Sequence, residues 1–460
     1  MSRRPPILLA LALAVAGAPD ATRAAEGEHA ARRARLAALL AEEFAAGTLE
    51  PGPLLVPGAP ETDTVPFSQA DHALYLTGID EPGLCLALRV GADGRTVEEV
   101  LFLADGTPES DRWVGDRLRA DRATAEATGF DRIEPASRFF EVAREWLEGA
   151  DVIHFLDEPR LESGLAAARV RRWLAGIPGA PDLDLVPVER LVDRLRLHKS
   201  PVEQDLLRSA AALTARTLRE VLPLVRPGVR ERELRGAVEG RFLAFGADGP
   251  AFPSIVGSGP NTCVLHHVPG ERRLEEGELC LLDVGARVRG YSADVTRTVP
   301  VSGTFSPRQR RAYEIVLAAQ EAAIEAARPG VPLSGLHAAA GRVLREGLAE
   351  LLDGPRDLSR GARRRYVPHG TSHWIGIAVH DVGRGALAPG CAFTIEPGLY
   401  LPEEGLGIRI EDDFLMREDG SVERISTGLP RAADEIERLV RGSPPAGADD
   451  HENDADDEGR

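Results

Sequence analysis

Apolar and polar positions change period several times along the first part of the chain. From Ala30 to Ala46, Ala, Leu, Arg and Glu recur with the spacing of an amphipathic helix. Short runs of β composition follow at Ala73–Leu76, Cys85–Val90, Val97–Leu103 and Val152–Leu156, with a helical pattern over Ala136–Leu147 between them. Strands alternating with helices predict an α/β N-terminal domain, placed at residues 30–192. Ser200-Pro201-Val202-Glu203 then opens a long helix, with Ser200 as N-cap, Pro201 at the first helical position and Glu203 completing a capping box. Leu206, Leu207, Ala210, Leu213 and Leu218 give that helix an apolar stripe. Helical patterns at Arg308–Ala327 and Leu336–Leu352 alternate with hairpin-like strands as far as Arg441, which predicts a second, α+β domain over residues 193–441.

The two ends read differently. Arg3 and Arg4 precede an apolar run from Ile7 to Ala18, and small residues follow at Ala24 and Ala25. That order predicts a secretory signal over residues 1–25, and hence an exported, periplasmic or secreted protein; a cytoplasmic one is the alternative. The run is shorter than the ~20 residues a membrane span requires, and no other stretch of the sequence predicts one. At the other end, residues 443–460 hold seven acids and one Arg, and residues 442–460 are expected to form an acidic disordered tail. Over all 460 residues, 55 Lys and Arg face 73 Asp and Glu, a net charge of −18, which argues against a nucleic-acid partner. The four cysteines (Cys85, Cys263, Cys280, Cys391) form no C-x-x-C, so they read as small core residues rather than a thiolate metal site.

The candidate chemistry is carboxylate and imidazole. Leu279–Leu282 is a buried-strand run ending at Asp283, and Asp294 opens a returning strand after Gly285, Arg289 and Gly290. With the turn centred near Val288, the two aspartates stand opposite each other, ~5 Å apart at Cβ. Carboxylates that close repel unless a proton or a cation lies between them. Phe393–Ile395 likewise ends at Glu396, and Gly407–Ile410 ends at Glu411, so these two glutamates are expected to converge on a second hairpin. His369, His373 and His380 fall between the two pairs, and His266 lies upstream. An acid at a strand end is commonly a turn cap, and a lone His is commonly structural; four such acids around a His-rich loop are harder to dismiss. Val256-Gly257-Ser258-Gly259-Pro260 lacks the lysine of a phosphate loop, and Ser372 has no nucleophile-elbow context.

His369-Gly370-Thr371-Ser372-His373-Trp374, Thr394-Ile395-Glu396-Pro397-Gly398-Leu399-Tyr400 and Gly407-Ile408-Arg409-Ile410-Glu411-Asp412-Asp413 resemble the signature of the Xaa-Pro aminopeptidases (aminopeptidase P). Leu282-Asp283-Val284-Gly285, Asp294-Val295-Thr296-Arg297-Thr298 and Ser254–Gly259 resemble it too, as do Asp71–Gly78 and Trp113-Val114-Gly115 more loosely. The resemblance implies a pita-bread catalytic domain, an antiparallel curved sheet covered by helices. It also implies two divalent metal ions, usually Mn(II), held by Asp283, Asp294, His373, Glu396 and Glu411, with Asp294 and Glu411 bridging. Such a set is hard and oxygen-rich. Glu396 is expected to act as acid and base, His266 and His380 to stabilise the intermediate and relay protons, and His369 and Arg409 to bind substrate. The implied substrates are peptides with Pro at the second position, and the implied assembly is a homo-oligomer. Three relatives of the same fold define the alternatives: prolidase, which cleaves Xaa-Pro dipeptides; creatinase, which lacks the metals; and inactive binding modules, which lose ligands. All five ligand positions are filled in this chain.

Overall fold

The structure is a computed structural model that describes residues 20–60, 67–91, 97–147, 150–157, 165–175, 183–352 and 364–442. Residues 1–19 of the expected leader (1–25) and the acidic tail from residue 443 lie outside the described residues, and residues 20–25 open the first helix. Among the described residues no helix is long and apolar enough to cross a membrane. The chain divides into two compact units, up to Arg196 and from Leu197.

The first unit runs α1 (Asp20–Ala45), β1 (Leu54–Pro57), α2 (Asp71–Thr77), β2 (Cys85–Val90), β3 (Val97–Leu103), α3 (Pro108–Val114), α4 (Arg122–Thr128), β4 (Ile133–Pro135), α5 (Phe139–Leu147), β5 (Val152–Phe155), α6 (Leu165–Leu174) and β6 (Asp184–Pro187), and α7 (Glu189–Leu197) follows. Its six strands form one mixed sheet in the order β4-β3-β2-β1-β5-β6. The β1, β2 and β3 pairings are antiparallel and the outer ones parallel. Leu55, Ala87, Phe102 and Ile153 on these strands meet Phe139 and Trp146 of α5 in a buried cluster. One expected strand is absent: Ala73–Leu76 belongs to helix α2. Four apolar residues cannot distinguish a helical from an extended period. The helix is closed by Gly78 at φ 69°, whose N–H returns to the Leu74 carbonyl.

The second unit opens with α8 (Pro201–Val221), where the Ser200–Glu203 capping box forms as the sequence predicts. Then come α9 (Glu231–Ala244), β7 (Gly249–Pro250), β8 (Ile255–Ser258), β9 (Leu279–Val284), β10 (Ala286–Val288), β11 (Tyr291–Ser292) and β12 (Val295–Pro300). The remainder is α10 (Pro307–Ala326), α11 (Leu333–Leu351), β13 (Ala392–Ile395), β14 (Gly398–Leu401), β15 (Leu406–Arg409), β16 (Asp412–Met416), β17 (Val422–Arg424) and a final helix, Ala433–Val440. Every pairing among these strands is antiparallel. Helices α8 and α9 pack together against β7, β8, β10 and β11, and α10, itself packed on α11, lies against β13, β14 and β15. Leu218, Phe242, Leu282, Val316, Leu344 and Phe393 from all these layers share one core. This is the expected α+β architecture, and its hairpins carry the acids toward one place.

Candidate metal centre

The first hairpin is set by its turn. Arg289 (φ 48°) and Gly290 (φ 85°) are both left-handed, the geometry of a two-residue hairpin turn. Val288 therefore faces Tyr291, and the same register runs on to pair Val284 with Val295 and Asp283 with Thr296. The expected opposition of Asp283 and Asp294 is thus corrected, because the turn is centred past Val288. Asp294 falls beside Gly285, two residues from Asp283, so the aspartates form a diagonal pair on one face. Gly285 is required there, since a Cβ would overlap the Ala293 carbonyl oxygen.

The second hairpin obeys one register on both sides of a break. Ile395 pairs with Asp412, and Gly398 with Arg409; between them that register sets Glu396 opposite Glu411. The two hairpins are sewn together by Glu411 N–H donating to Thr296 O (3.1 Å). The His373 loop lies along the edge of β13: Thr394 N–H donates to His373 O (2.9 Å), His373 N–H to Thr394 Oγ1 (3.2 Å) and Glu396 N–H to Thr371 O (2.7 Å). Backbone pairing thus delivers one imidazole and two carboxylates to the same point as the diagonal aspartates.

At that point His373 Nδ1–H donates to the Trp374 carbonyl (3.0 Å), which leaves Nε2 with its lone pair. Nε2 lies 3.4 Å from Asp294 Oδ2, 3.7 Å from Glu396 Oε1 and 4.0 Å from Glu411 Oε1. Burial, reinforced by neighbouring His380, pulls the His373 pKa down to about 4, so the ring is neutral at pH 7. These are therefore lone-pair-to-carboxylate approaches rather than ion pairs. Burial also pushes the Asp294 carboxyl well up, with the Glu411 and Asp283 charges adding to it. Glu411 is raised by burial and by Glu396. Glu396 is raised to about 8 by burial, the pull of Arg409 notwithstanding. Asp283 Oδ1 and Asp294 Oδ1 are buried and accept no hydrogen bond.

Orphaned oxygens, crowded carboxylates and an inward lone pair together fit a cation. Ligand atoms of Asp294, His373 and Glu411 all lie within 4.8 Å of one another. Asp283 and Glu396 flank that trio, and the full set of oxygens with one imidazole suits a hard divalent ion.

The surrounding groups hold this set in place. Arg409, expected to bind substrate, is buried and fully engaged: Nη2 donates to Asp283 Oδ2 (2.5 Å), Nη1 to the Tyr400 hydroxyl (2.8 Å) and Nε to Thr296 Oγ1 (3.2 Å). Its geometry braces Asp283. His369 Nε2 is 2.8 Å from the same Tyr400 hydroxyl, and its Nδ1 is 2.7 Å from Gly370 O and 3.6 Å from Glu396 Oε2. The His380 ring stands 4.4 Å from that of His373, nearly edge-on. His266 is exposed, and its neighbour His267 places Nε2 2.8 Å from buried Glu231 Oε2.

Thr296, Tyr400 and Asp413 were missed by sequence reasoning. Thr296 Oγ1 donates to Glu411 Oε2 (2.6 Å), and Asp413 Oδ2 accepts from Asp294 N–H (3.0 Å). The signal for Thr296 was available, because it stands two residues beyond Asp294 in a strand and so shares its face.

Residues 205–418 match the metallopeptidase family M24, and residues 29–154 match the aminopeptidase P N-terminal domain. The chain is 34% identical to the Xaa-Pro aminopeptidase of Escherichia coli over 397 residues, 82% of this chain and 89% of that one. It is also 34% identical to Xaa-Pro aminopeptidase 1 of Streptomyces coelicolor over 463 residues, 90% of this chain and 87% of that one. Among solved structures, a low-pH form of E. coli aminopeptidase P superposes with a TM-score of 0.81 at 32% identity, covering 91% of this chain and 98% of that one. The zinc-substituted E. coli enzyme in complex with product gives 0.81 at 31%, covering 91% and 99%.

Proposed function

This chain belongs to the Xaa-Pro aminopeptidases of metallopeptidase family M24, and on that premise we propose that its hairpin centre removes the first residue from peptides whose second residue is proline. The chain is a metallo-aminopeptidase with the pita-bread catalytic fold. The observation that carries the site assignment is the meeting of Asp294, His373 and Glu411 beside Asp283 and Glu396, with buried oxygens that accept nothing from the protein.

We assign Asp283, Asp294, His373, Glu396 and Glu411 to two divalent cations, with Asp294 and Glu411 shared and Mn(II) favoured by the hard donors. Such a pair, when bound, supplies an acidified water and polarisation of the scissile carbonyl. Glu396, which lies at the centre with its carboxylate 3.7 Å from His373 Nε2, takes the proton from the attacking water. The proline nitrogen bears no hydrogen in the peptide bond, so it departs as a secondary amine that must be protonated, and Glu396 returns the proton to it. His380, edge-on to His373, donates to the oxyanion of the tetrahedral intermediate. His369, whose Nδ1 lies 3.6 Å from Glu396 Oε2, binds the peptide beside it.

The test is a paired assay of Mn(II)-loaded protein on Xaa-Pro-Yaa and Xaa-Pro. Metal-dependent release of Xaa from the tripeptide is expected. Preference for the dipeptide would move the chain to the prolidases, and failure on both would end the proposal. We also propose export, supported by Arg3, Arg4 and the apolar run Ile7–Ala18. Sequencing the N-terminus of the protein from its native cell should find the leader removed; an intact leader on cytoplasmic protein would overturn this.

A further inference from the structure

The segment that carries His380 is tied to a buried charge that the chemistry above does not use. Asp381 directly follows His380, and its Oδ2 lies 3.1 Å from Lys199 Nζ, with both side chains 1% exposed. Lys199 stands just ahead of the α8 N-cap. Its N–H donates to Gly390 O (2.8 Å) and its carbonyl accepts from Gln204 Nε2 (3.0 Å), so its own backbone is held on both sides.

The loop Trp374–Asp381 wraps the carboxylate. Asp381 N–H donates to Trp374 O (2.8 Å), Gly376 N–H to Ala378 O (3.0 Å), and Gly376 O accepts from Ser292 N–H (2.8 Å). A Cβ on Gly376 would overlap the Asp381 carboxylate and press on the Lys199 stem, so the residue there must be glycine for the loop to close so tightly. His373 and His380 border this loop, one at each end, with their rings 4.4 Å apart. The Thr394 contacts fix the first end, and the Lys199–Asp381 pair fixes the second.

We propose that Lys199 is a positioning residue for His380: acting through Asp381, it sets where the imidazole stands, while touching neither substrate nor metal. The inference rests on the reading of His380 as the oxyanion donor. A lysine drawn out of water against one carboxylate is hard to account for by stability alone, since an apolar pair of similar volume would do as well or better. A misplacement of about 1 Å in a catalytic constellation lowers the rate by up to ~100-fold. Lys199→Met is therefore expected to lower kcat by about 10- to 100-fold, with KM nearly unchanged and full metal content.

The test compares full-length, Mn(II)-loaded wild type with Lys199→Met, His380→Ala, the double variant of these, and Lys199→Met/Asp381→Asn. The last removes both charges, leaving no uncompensated ion to unfold the protein. Expected is a large kcat loss on an Xaa-Pro-Yaa peptide for Lys199→Met that shrinks below about twofold in the His380→Ala background, because residues acting through one another are not additive. A loss that persists in full there would overturn the proposal, as would a wild-type kcat for the neutral pair. Amide hydrogen exchange over residues 376–383 gives a reading independent of turnover. Faster exchange there in Lys199→Met and in Lys199→Met/Asp381→Asn, with residues 279–284 unchanged, supports the anchoring, and unchanged exchange refutes it. Wild-type turnover by His380→Ala would sink the role given to His380 separately, with exchange still deciding whether Lys199 holds the loop.

Discussion

Thr296→Val removes one oxygen from the centre and keeps the shape of the side chain. In the wild type that hydroxyl donates to Glu411 Oε2 at 2.6 Å and accepts from Arg409 Nε at 3.2 Å, in a fully buried position. A hydrogen bond to a charged group contributes about 1.5–3 kcal/mol. At ~1.4 kcal/mol per decade, that corresponds to a roughly 10- to 100-fold loss of divalent-ion affinity, the range found when a partner of a metal ligand is removed. Thr298→Val is the matched control. It lies two residues along the same strand, and its hydroxyl meets only the backbone of Arg409, accepting from N–H (3.1 Å) and donating to O (3.0 Å). Its loss should lower stability by about 1 kcal/mol and leave metal affinity as it was. Titration calorimetry of dialysed protein with Mn(II), beside urea melts of the same samples, measures both quantities. If Thr296→Val binds Mn(II) as wild type does, or if the two variants weaken binding equally, the reasoning that assigns Glu411 as a ligand held by Thr296 is wrong.

Asp294→Ala should lose metal, not merely rate, because the proposed assignment has its carboxylate serve both cations; full occupancy by elemental analysis would contradict that assignment. The metal-free protein should lose stability as pH rises from 6.5 to 8. In that window Glu396, raised to about 8 when folded, still holds a proton that the unfolded chain has lost. His29, His369 and His373, lowered to about 4, work the other way mostly below pH 6.5 and add about 0.4 kcal/mol each above it, while the raised Asp294 and Glu411 carboxyls reinforce the decline. The Glu396 contribution across the window is roughly 1.5 kcal/mol; thermal melts should show the decline without metal and not with it, and a flat metal-free profile would refute this. Gly285→Ala should destabilise by more than ~2 kcal/mol, since the new methyl meets backbone that cannot rotate away; a urea midpoint equal to wild type would show that the hairpin yields.

What the sequence made legible was local. Asp283, Glu396 and Glu411 each end an apolar run and the Ser200 cap lies within four residues, so these candidate acids and the opening of α8 could be named without coordinates, while the full ligand set came from the family resemblance. The second hairpin was readable too, because Glu396 and Glu411 close their strands symmetrically. Register was not. It depends on a left-handed Arg289, a conformation few residues other than glycine adopt, and this displaced Asp294 from its expected partner. The α2 segment failed for want of length, as four apolar residues carry no period. His267 carried no signal in the sequence, because its partner, the buried Glu231, is distant along the chain.

The contact between Arg409, Tyr400 and His369 has a direction. A carbonyl can only receive hydrogens, so the ring's own hydrogen belongs on His369 Nδ1, facing Gly370 O, and Nε2 is left as an acceptor. The phenol oxygen receives from Arg409 and turns its single hydrogen to that nitrogen. A main-chain carbonyl on one side and a permanently cationic side chain acting through a phenol on the other thereby agree on one tautomer, and Tyr400→Phe would leave the carbonyl to hold it alone.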